Sequence, residues 1–268
     1  MNVDYLLGNE NEKPLDELVS DGGFVGIFRK IACVGDSLSS GEFQARRESD
    51  GANLYFDRFY YSWGQYMARM AGVTVYNFSR GGMTAKEYME SFANNMGYWQ
   101  RSLAANAYII ALGVNDIFNR GGDIGEVSDV CPDDYKRNAD TFIGNYAAII
   151  QRYKEIMPEA VFFLVTTPNA GEEEVEDKRE LRRSLRKAIF DIAGLFDNTY
   201  VIDLYEYAPI YDSEFKKKFF LSGHMAPAGY LLTAKMICSY IDYIIRHNLE
   251  KFKTVGLMDY DYDRTKIQ

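Results

Sequence analysis

The chain has 268 residues, of which 47% are apolar, and a net charge of −9. This length and composition allow one domain with a full hydrophobic core, or two small domains. The negative charge argues against a nucleic acid or an anionic membrane surface as a partner.

Apolar runs of two kinds alternate along the chain. Five short, β-prone runs predict buried strands at residues 30–34, 73–77, 107–112, 161–166 and 200–204. Apolar residues at helical spacing predict amphipathic helices within residues 59–70, 142–153 and 230–245. Strands that alternate with helices imply βαβ crossovers. We therefore predict an α/β fold, a three-layer α/β/α sandwich with a five-stranded parallel sheet.

The remaining segments predict how the chain is divided. Residues 1–29 are expected to form an N-terminal arm packed on the domain, or part of a small extra sheet. Residues 30–250 are assigned to the domain and residues 251–268 to a polar C-terminal tail. Residues 41–57 show no clear periodicity, so we expect a long loop that forms one wall of the substrate site.

Cysteine spacing and the N-terminal sequence bear on metals and compartment. Cys33, Cys131 and Cys238 are widely spaced and have no neighbouring histidine, which argues against a disulfide framework or a zinc site. No stretch approaches the ~18 apolar residues of a membrane span. The first residues lack the basic start and apolar core of a signal peptide. We expect a cytoplasmic protein, or a secreted one if the chain lacks its signal peptide.

Polar residues lie at the ends of several predicted elements. Ser37 follows the first strand, Gly81 and Gly82 follow the second, Asn115 follows the third, and His224 precedes the last helix. In open parallel α/β sheets, ligands bind in the crevice beyond the carboxyl ends of the strands. These residues are therefore expected to lie near one another.

With Ser, Gly, Asn and His in this order, the sequence resembles the SGNH hydrolases, also called the GDSL esterase/lipase family. The resemblance runs from about residue 30 to residue 246, and all four motif blocks fall in family order. It implies the flavodoxin-like SGNH hydrolase fold and a serine esterase that forms an acyl-enzyme on Ser37. It implies no metal and no organic cofactor.

A serine nucleophile needs a base to accept its proton. The sequence contains two histidines, His224 and His247. His247 lies at the far end of the last predicted helix, where a surface or capping role is expected. His224 is therefore predicted as general base toward Ser37 and then as general acid toward the leaving alcohol. The alternative for His224 is a polar residue at a helix N-terminus.

Gly82 and Asn115 fit an oxyanion hole, with the Ser37 N–H as a third donor. A glycine N–H can approach a ligand without interference from a Cβ atom, and an asparagine amide supplies a neutral donor. The resemblance implies that Gly82 is the glycine of the hole and that Gly81 is the turn residue before it. The alternatives are a plain turn at the glycines and a helix cap at Asn115.

Leu221 occupies the position, three residues before the histidine, at which most relatives carry an orienting aspartate. We therefore expect a Ser–His dyad whose imidazole is held by a backbone carbonyl of residues 220–222 or by a more distant carboxylate. The acidic candidates are Asp203, Glu206, Asp212 and Glu214. The carbonyl is favoured because none of these acids has the required close spacing.

Two acidic residues lie close to Ser37 in sequence. Asp36 is expected to stabilise the turn, because adjacent side chains on extended backbone point in opposite directions. Glu42 is predicted either as an ordinary loop charge or as a pocket residue that binds a substrate hydroxyl.

The substrate is predicted only by class. Aromatic residues after the first two loops suit a sugar ring or an acyl chain, although most aromatic side chains in such a domain fill its core. Deacetylation of a carbohydrate, or hydrolysis of another small-molecule or glycan ester, is the favoured function. A lysophospholipase or thioesterase is the nearest alternative. A ligand-binding member of the fold that lost the acid and its activity is the alternative of a different class.

Overall fold

The computed structural model describes residues 6–253, which form an α/β fold around a parallel sheet. The strands of this part of the chain are β1 (Lys30–Gly35), β2 (Glu42–Arg46), β3 (Asn53–Asp57), β4 (Thr74–Ser79), β5 (Ala107–Ala111), β6 (Val161–Val165), β7 (Thr199–Ile202), β8 (Phe220–Leu221) and β9 (His224–Met225). Five of these described strands form one sheet in the order β4-β1-β5-β6-β7, and every neighbouring pair is parallel. The predicted fold class is confirmed.

Helices cover both faces of this sheet. In chain order they are α1 (Ser37–Ser40), α2 (Trp63–Ala71), α3 (Ala85–Glu87), α4 (Ala93–Asn95), α5 (Phe142–Ile156), α6 (Glu176–Ala193), α7 (Leu204–Tyr207), α8 (Ser213–Phe219) and α9 (Pro227–Arg246). A π-helical segment, Tyr88–Phe92, joins α3 to α4. Among residues 6–253, no helix combines the length and the apolar composition that crossing a bilayer requires.

The core has two halves, one on each face of the sheet. Successive side chains of a strand point to opposite faces. Phe163 of β6 therefore packs with α2 and α9, whereas the adjacent Phe162 packs with α5 and α6. The strands are thus fixed from both sides, and the loops at their carboxyl ends start from a rigid edge.

Residues 42–57 differ from the prediction. β2 and β3 pair as an antiparallel hairpin, with Glu42 opposite Asp57, so the long loop predicted for this segment is wrong. The hairpin lies on the surface and β3 is largely exposed. A strand pair without a buried face lacks the alternation of apolar and polar residues on which sequence-based detection depends.

The N-terminal arm lies against α9. The Val19 N–H donates to Ser239 Oγ at 2.9 Å, and the Phe24 N–H donates to Asp242 Oδ1 at 2.8 Å. Both acceptors are side chains of α9, so the described part of the arm covers that helix. Residues 254–268 of the predicted tail lie outside the described residues.

Candidate active site

Ser37 is the first residue of α1, immediately beyond the carboxyl end of β1. The Asp36 side chain caps this short helix, because its Oδ1 accepts a hydrogen bond from the Leu38 N–H at 3.0 Å. Asp36 therefore stabilises the turn, which is the role expected from the sequence. Gly41, with φ +80°, ends α1 and leads directly into β2.

The glycine turn follows β4, the sheet neighbour of β1. The Arg80 N–H donates to the Gly35 carbonyl at 3.3 Å and so holds the start of this turn beside the end of β1. Gly82 is exposed and has φ +71°, a conformation that L-residues with a Cβ atom rarely adopt. The turn that orients the Gly82 N–H therefore requires a backbone conformation that favours glycine.

Asn115 lies in a buried π-helical turn after β5 and contacts both other loops. Its Nδ2 donates to the Met83 carbonyl at 3.2 Å and to Asp36 Oδ2 at 3.4 Å. The loops that follow β1, β4 and β5 are thus joined through one amide. Both of its hydrogens have protein acceptors in this arrangement.

His224 lies on β9, which packs against α1 and β2. Its Nε2 is 3.0 Å from Glu42 Oε1, and its Nδ1 is 3.3 Å from Gln44 Oε1. Glu42 and Gln44 are two residues apart on β2, so their side chains lie on the same face of that strand. Within residues 6–253, both ring nitrogens therefore face oxygens of β2 and neither contacts Ser37 Oγ.

The group that holds the imidazole differs from the one expected. The favoured backbone carbonyl of residues 220–222 is wrong: the carbonyl that faces Nδ1 belongs to the Gln44 side chain, whose oxygen also accepts the Gly223 N–H at 2.9 Å. Leu221 pairs with His224 across the β8–β9 hairpin and is 43% exposed. The sequence does not indicate Gln44, because a segment without periodicity gives no facing direction for a side chain.

The four acidic candidates lie away from the ring. Asp203 and Glu206 both pair with Arg186. Asp212 caps α8, and Glu214 pairs with a lysine of the same helix. None of the contacts of these four acids in the described structure involves the imidazole, so the ring depends on β2 for its orientation.

Glu42 is enclosed on several sides. Its backbone carbonyl accepts the Tyr230 hydroxyl of α9 at 2.6 Å, and a Cβ atom at Gly81 would overlap its Oε2. Burial raises the pKa of the Glu42 carboxyl, and the nearby charge of Asp57 raises it further. Burial lowers the pKa of His224, with Asp57 acting in the opposite direction. Glu42 is therefore engaged with His224 and is not an ordinary loop charge.

Two more carboxyl groups are buried below this site. Burial raises the pKa of Asp36 to about 6 and that of Asp116 to about 6. Asp116 Oδ1 accepts the Ala85 N–H at 2.8 Å, whereas its buried Oδ2 has no hydrogen-bond partner among the described residues. Among residues 6–253, no group of three or more histidine, cysteine, aspartate or glutamate side chains is arranged as metal ligands.

Two surfaces adjoin the site. A cavity of about 390 Å³ is lined mainly by apolar side chains, among them Leu38, and is bordered by Lys178 and Lys216. Four aromatic residues of β3 and the following turn are 41–65% exposed: Tyr55, Phe56, Tyr60 and Tyr61. The Tyr55 ring packs edge-on against the His224 ring, with their centroids 5.6 Å apart.

Comparison with known protein families identifies a match that covers most of the chain. The sequence profile of the GDSL-like Lipase/Acylhydrolase family matches residues 33–232. No curated protein matches the chain.

Solved structures show the same fold. A protein from Lactobacillus plantarum has a TM-score of 0.58 and 16% identity, over 80% of this chain and 97% of its own. A carbohydrate esterase family 2 enzyme from Corynascus thermopiles (Myceliophthora fergusii) has a TM-score of 0.56 and 16% identity, over 80% of this chain and 65% of its own. A family two carbohydrate esterase from Clostridium thermocellum, in complex with cellohexaose, has a TM-score of 0.56 and 16% identity, over 81% of this chain and 64% of its own. At these identities the likeness concerns the fold alone.

Proposed function

Because the chain belongs to the GDSL-like Lipase/Acylhydrolase family, we propose that it hydrolyses carboxylic esters through an acyl-enzyme on Ser37. The observation that carries this proposal is the meeting of three loops and strand β9 at one edge of the sheet. They bring Ser37, Gly82, Asn115 and His224 to the carboxyl ends of β1, β4 and β5. Parallel α/β proteins bind their ligands at this edge.

In the described structure His224 Nε2 faces Glu42, so the reaction requires Nε2 to turn toward Ser37. Ser37 Oγ attacks the ester carbonyl and gives its proton to His224 Nε2, which passes it to the leaving alcohol. The oxyanion accepts hydrogen bonds from the N–H groups of Ser37 and Gly82 and from Asn115 Nδ2, which gives up Met83 O to do so. Water activated by His224 then releases the acid from Ser37.

The favoured substrate is an acetylated carbohydrate or another small ester. Its support is the group of exposed aromatic side chains at Tyr55, Phe56, Tyr60 and Tyr61, because aromatic faces stack on the apolar faces of sugar rings. The Tyr55 ring touches His224, so a sugar bound on this surface would lie close to the reacting ester.

A longer acyl chain is the second candidate. The apolar cavity of about 390 Å³ beside Leu38 could hold the acyl chain of a lysophospholipid or a thioester. Initial rates on p-nitrophenyl esters of increasing chain length, compared with acetate release from acetylated sugars, distinguish the two. Selective cleavage of acetyl esters favours the carbohydrate, whereas a kcat/KM that rises to medium chains favours the cavity.

The catalytic assignment is tested with p-nitrophenyl acetate. We expect a burst of p-nitrophenol from the wild type. Ser37→Ala should abolish the burst, and His224→Ala should lower kcat by about 10²–10⁴ because general acid–base catalysis is lost. His247→Ala is the matched control, since that ring contacts Tyr243 and Asn9 at the end of α9. Unchanged turnover in Ser37→Ala or His224→Ala would refute the proposal.

Asn115→Ala tests the oxyanion hole separately. Loss of one donor to the oxyanion is expected to lower kcat by about 10²–10³ with little change in KM, because this donor acts on the transition state. The measurement is steady-state kinetics on the same ester. A rise in KM at constant kcat would instead assign Asn115 to substrate binding.

A further inference from the structure

The hydrogen-bond partners of His224 determine which of its two ring nitrogens carries a hydrogen. The Gly223 N–H donates to Gln44 Oε1 at 2.9 Å, which identifies this atom as an acceptor. His224 Nδ1 lies 3.3 Å from the same oxygen and must therefore carry a hydrogen to bond with it. The tautomer of the neutral ring is thus the one with its lone pair on Nε2.

That lone pair faces another oxygen. Nε2 is 3.0 Å from Glu42 Oε1, a distance at which an unprotonated nitrogen and a carboxylate oxygen would repel each other. One proton must lie between them, either on a neutral carboxyl or on an imidazolium. Burial raises the pKa of Glu42 and lowers the pKa of His224, and both directions favour the neutral pair with the proton on Glu42.

Glu42 is held in this position by its neighbours. Tyr230 anchors its backbone carbonyl, and Gly81 leaves room for its Oε2 where any larger residue would overlap it. Gly81 has no unusual backbone conformation that would itself require glycine. The close approach of Glu42 is therefore the structural reason for a glycine at this position.

We propose that Glu42 and Gln44 are positioning residues that replace the missing aspartate, with Gln44 holding Nδ1 and Glu42 sharing one proton with Nε2 of His224. This inference rests on the proposed function of His224 as the base. While the shared proton is present, Nε2 cannot accept the Ser37 proton. Its loss to solvent leaves Nε2 unprotonated beside the Glu42 carboxylate, and the repulsion between the two favours a turn of Nε2 toward Ser37.

The Glu42 carboxylate then has a second effect. When Nε2 takes the proton from Ser37 Oγ, the ring becomes an imidazolium, and the adjacent carboxylate stabilises its charge. An aspartate at Nδ1 supplies this stabilisation in a full triad. Here the charge is on the other side of the ring, and Gln44 fixes only the tautomer.

Other charged and titratable groups lie close to Glu42 and His224 and affect their pKa values or hold them in place. Asp57 of β3 acts on both residues and accepts the Ser40 hydroxyl at 2.6 Å. Asp36 lies close enough for the Glu42 charge to raise its pKa. Tyr230 of α9 bonds the Glu42 backbone, and the Tyr55 ring covers the imidazole. No positive side chain appears among these neighbours, so Glu42 is not neutralised by a cation there.

The test compares pH profiles of kcat/KM. Glu42→Gln should move the acid limb down by about one pH unit or more, because an opposite charge at this distance raises a histidine pKa by that amount. Gln44→Glu should move it up, since it places a carboxylate at Nδ1. Glu48→Gln, the same charge change on the exposed turn of this hairpin, is the control and should leave the profile unchanged.

Gly81→Ala tests Glu42 without removing its carboxylate. The added Cβ displaces the flexible end of Glu42, so the acid limb should move in the same direction as in Glu42→Gln. In a Glu42→Gln background, Gly81→Ala should cause no further movement of the midpoint. Additive shifts in the double variant would mean that Gly81 acts independently of Glu42.

The ring is also observed directly by ¹⁵N NMR of histidine-labelled protein. In a His247→Gln background the remaining signals belong to His224, because the chain has two histidines. We expect a protonated Nδ1 and an Nε2 shift that changes in Glu42→Gln. Equal midpoints in the parent, Glu42→Gln and Gln44→Glu would overturn the proposal. This readout does not require turnover, so coupled titration in a protein without esterase activity would refute only the proposed function.

Discussion

At the scale of single residues, the buried carboxyl of Asp116 makes the stability of the fold depend on pH. It is 7% exposed, and burial raises its pKa to about 6. A raised pKa stabilises the folded state below the unfolded-state pKa, and this contribution is lost as the pH rises through about 6. The ionised carboxylate is therefore destabilising at neutral and alkaline pH.

Asp116→Asn should remove that penalty. We expect the free energy of unfolding to rise by up to about 3 kcal/mol at pH 8 and to gain nothing at pH 4, where the carboxyl is protonated. Denaturant unfolding of the wild type and the variant at both pH values measures this change in the free energy of unfolding. Asp36→Asn is the comparison: its Oδ2 accepts from Asn115, so an amide there would face a donor and gain less. An equal gain for Asp116→Asn at pH 4 would contradict the explanation.

The sequence indicates some of the residues around this site and not others. Ser37, Gly82, Asn115 and His224 could be placed because each adjoins an element with a strong local signal. Gln44 could not, because its contact with His224 joins segments 180 positions apart in the chain. Leu221 showed that an acid was missing, but the sequence does not state which distant side chain takes its place.

At the scale of elements, the β2–β3 hairpin supplies the groups that hold the imidazole. One hydrogen bond between this hairpin and the rest of the molecule comes from the Tyr230 hydroxyl of α9, which donates to the Glu42 carbonyl at 2.6 Å. The strands of the central sheet were predictable because they are buried on both faces. The hairpin was not, because its exposed residues carry no regular apolar pattern.

Tyr230→Phe tests the role of this hydrogen bond. Loss of one buried hydrogen bond should lower stability by about 1 kcal/mol and also lower kcat/KM, because Glu42 loses its anchor. Tyr146→Phe is the matched control: its buried hydroxyl also donates to a backbone carbonyl, that of Ile110, at 3.0 Å. It should lose similar stability and keep its activity. Equal losses of activity in both variants would mean that the hairpin does not depend on Tyr230.

At the scale of the whole molecule, one sheet joins the two halves of the core. Phe162 and Phe163 are adjacent on β6 and fully buried on opposite faces. Because both halves share the same strands, we expect them to unfold together. Of the one-domain and two-domain arrangements that the length allows, this connectivity favours a single cooperative unit.

Phe162→Ala and Phe163→Ala test that cooperativity. Each should lower the free energy of unfolding by about 3–5 kcal/mol and should move the same transition. Circular dichroism and tryptophan fluorescence during urea unfolding follow this transition, and the curves from the two probes should coincide. Two separate transitions, each moved by only one of the variants, would show that the halves fold independently.

The central claim for the molecule is that its fold activates Ser37 as a nucleophile, and fluorophosphonate labelling followed by peptide mass spectrometry tests it most directly. We predict a covalent adduct on Ser37 in the wild type, none in Ser37→Ala, and much slower labelling in His224→Ala. Absence of an adduct on Ser37 in the folded wild-type protein would contradict the account and would favour a ligand-binding member of the family without catalysis.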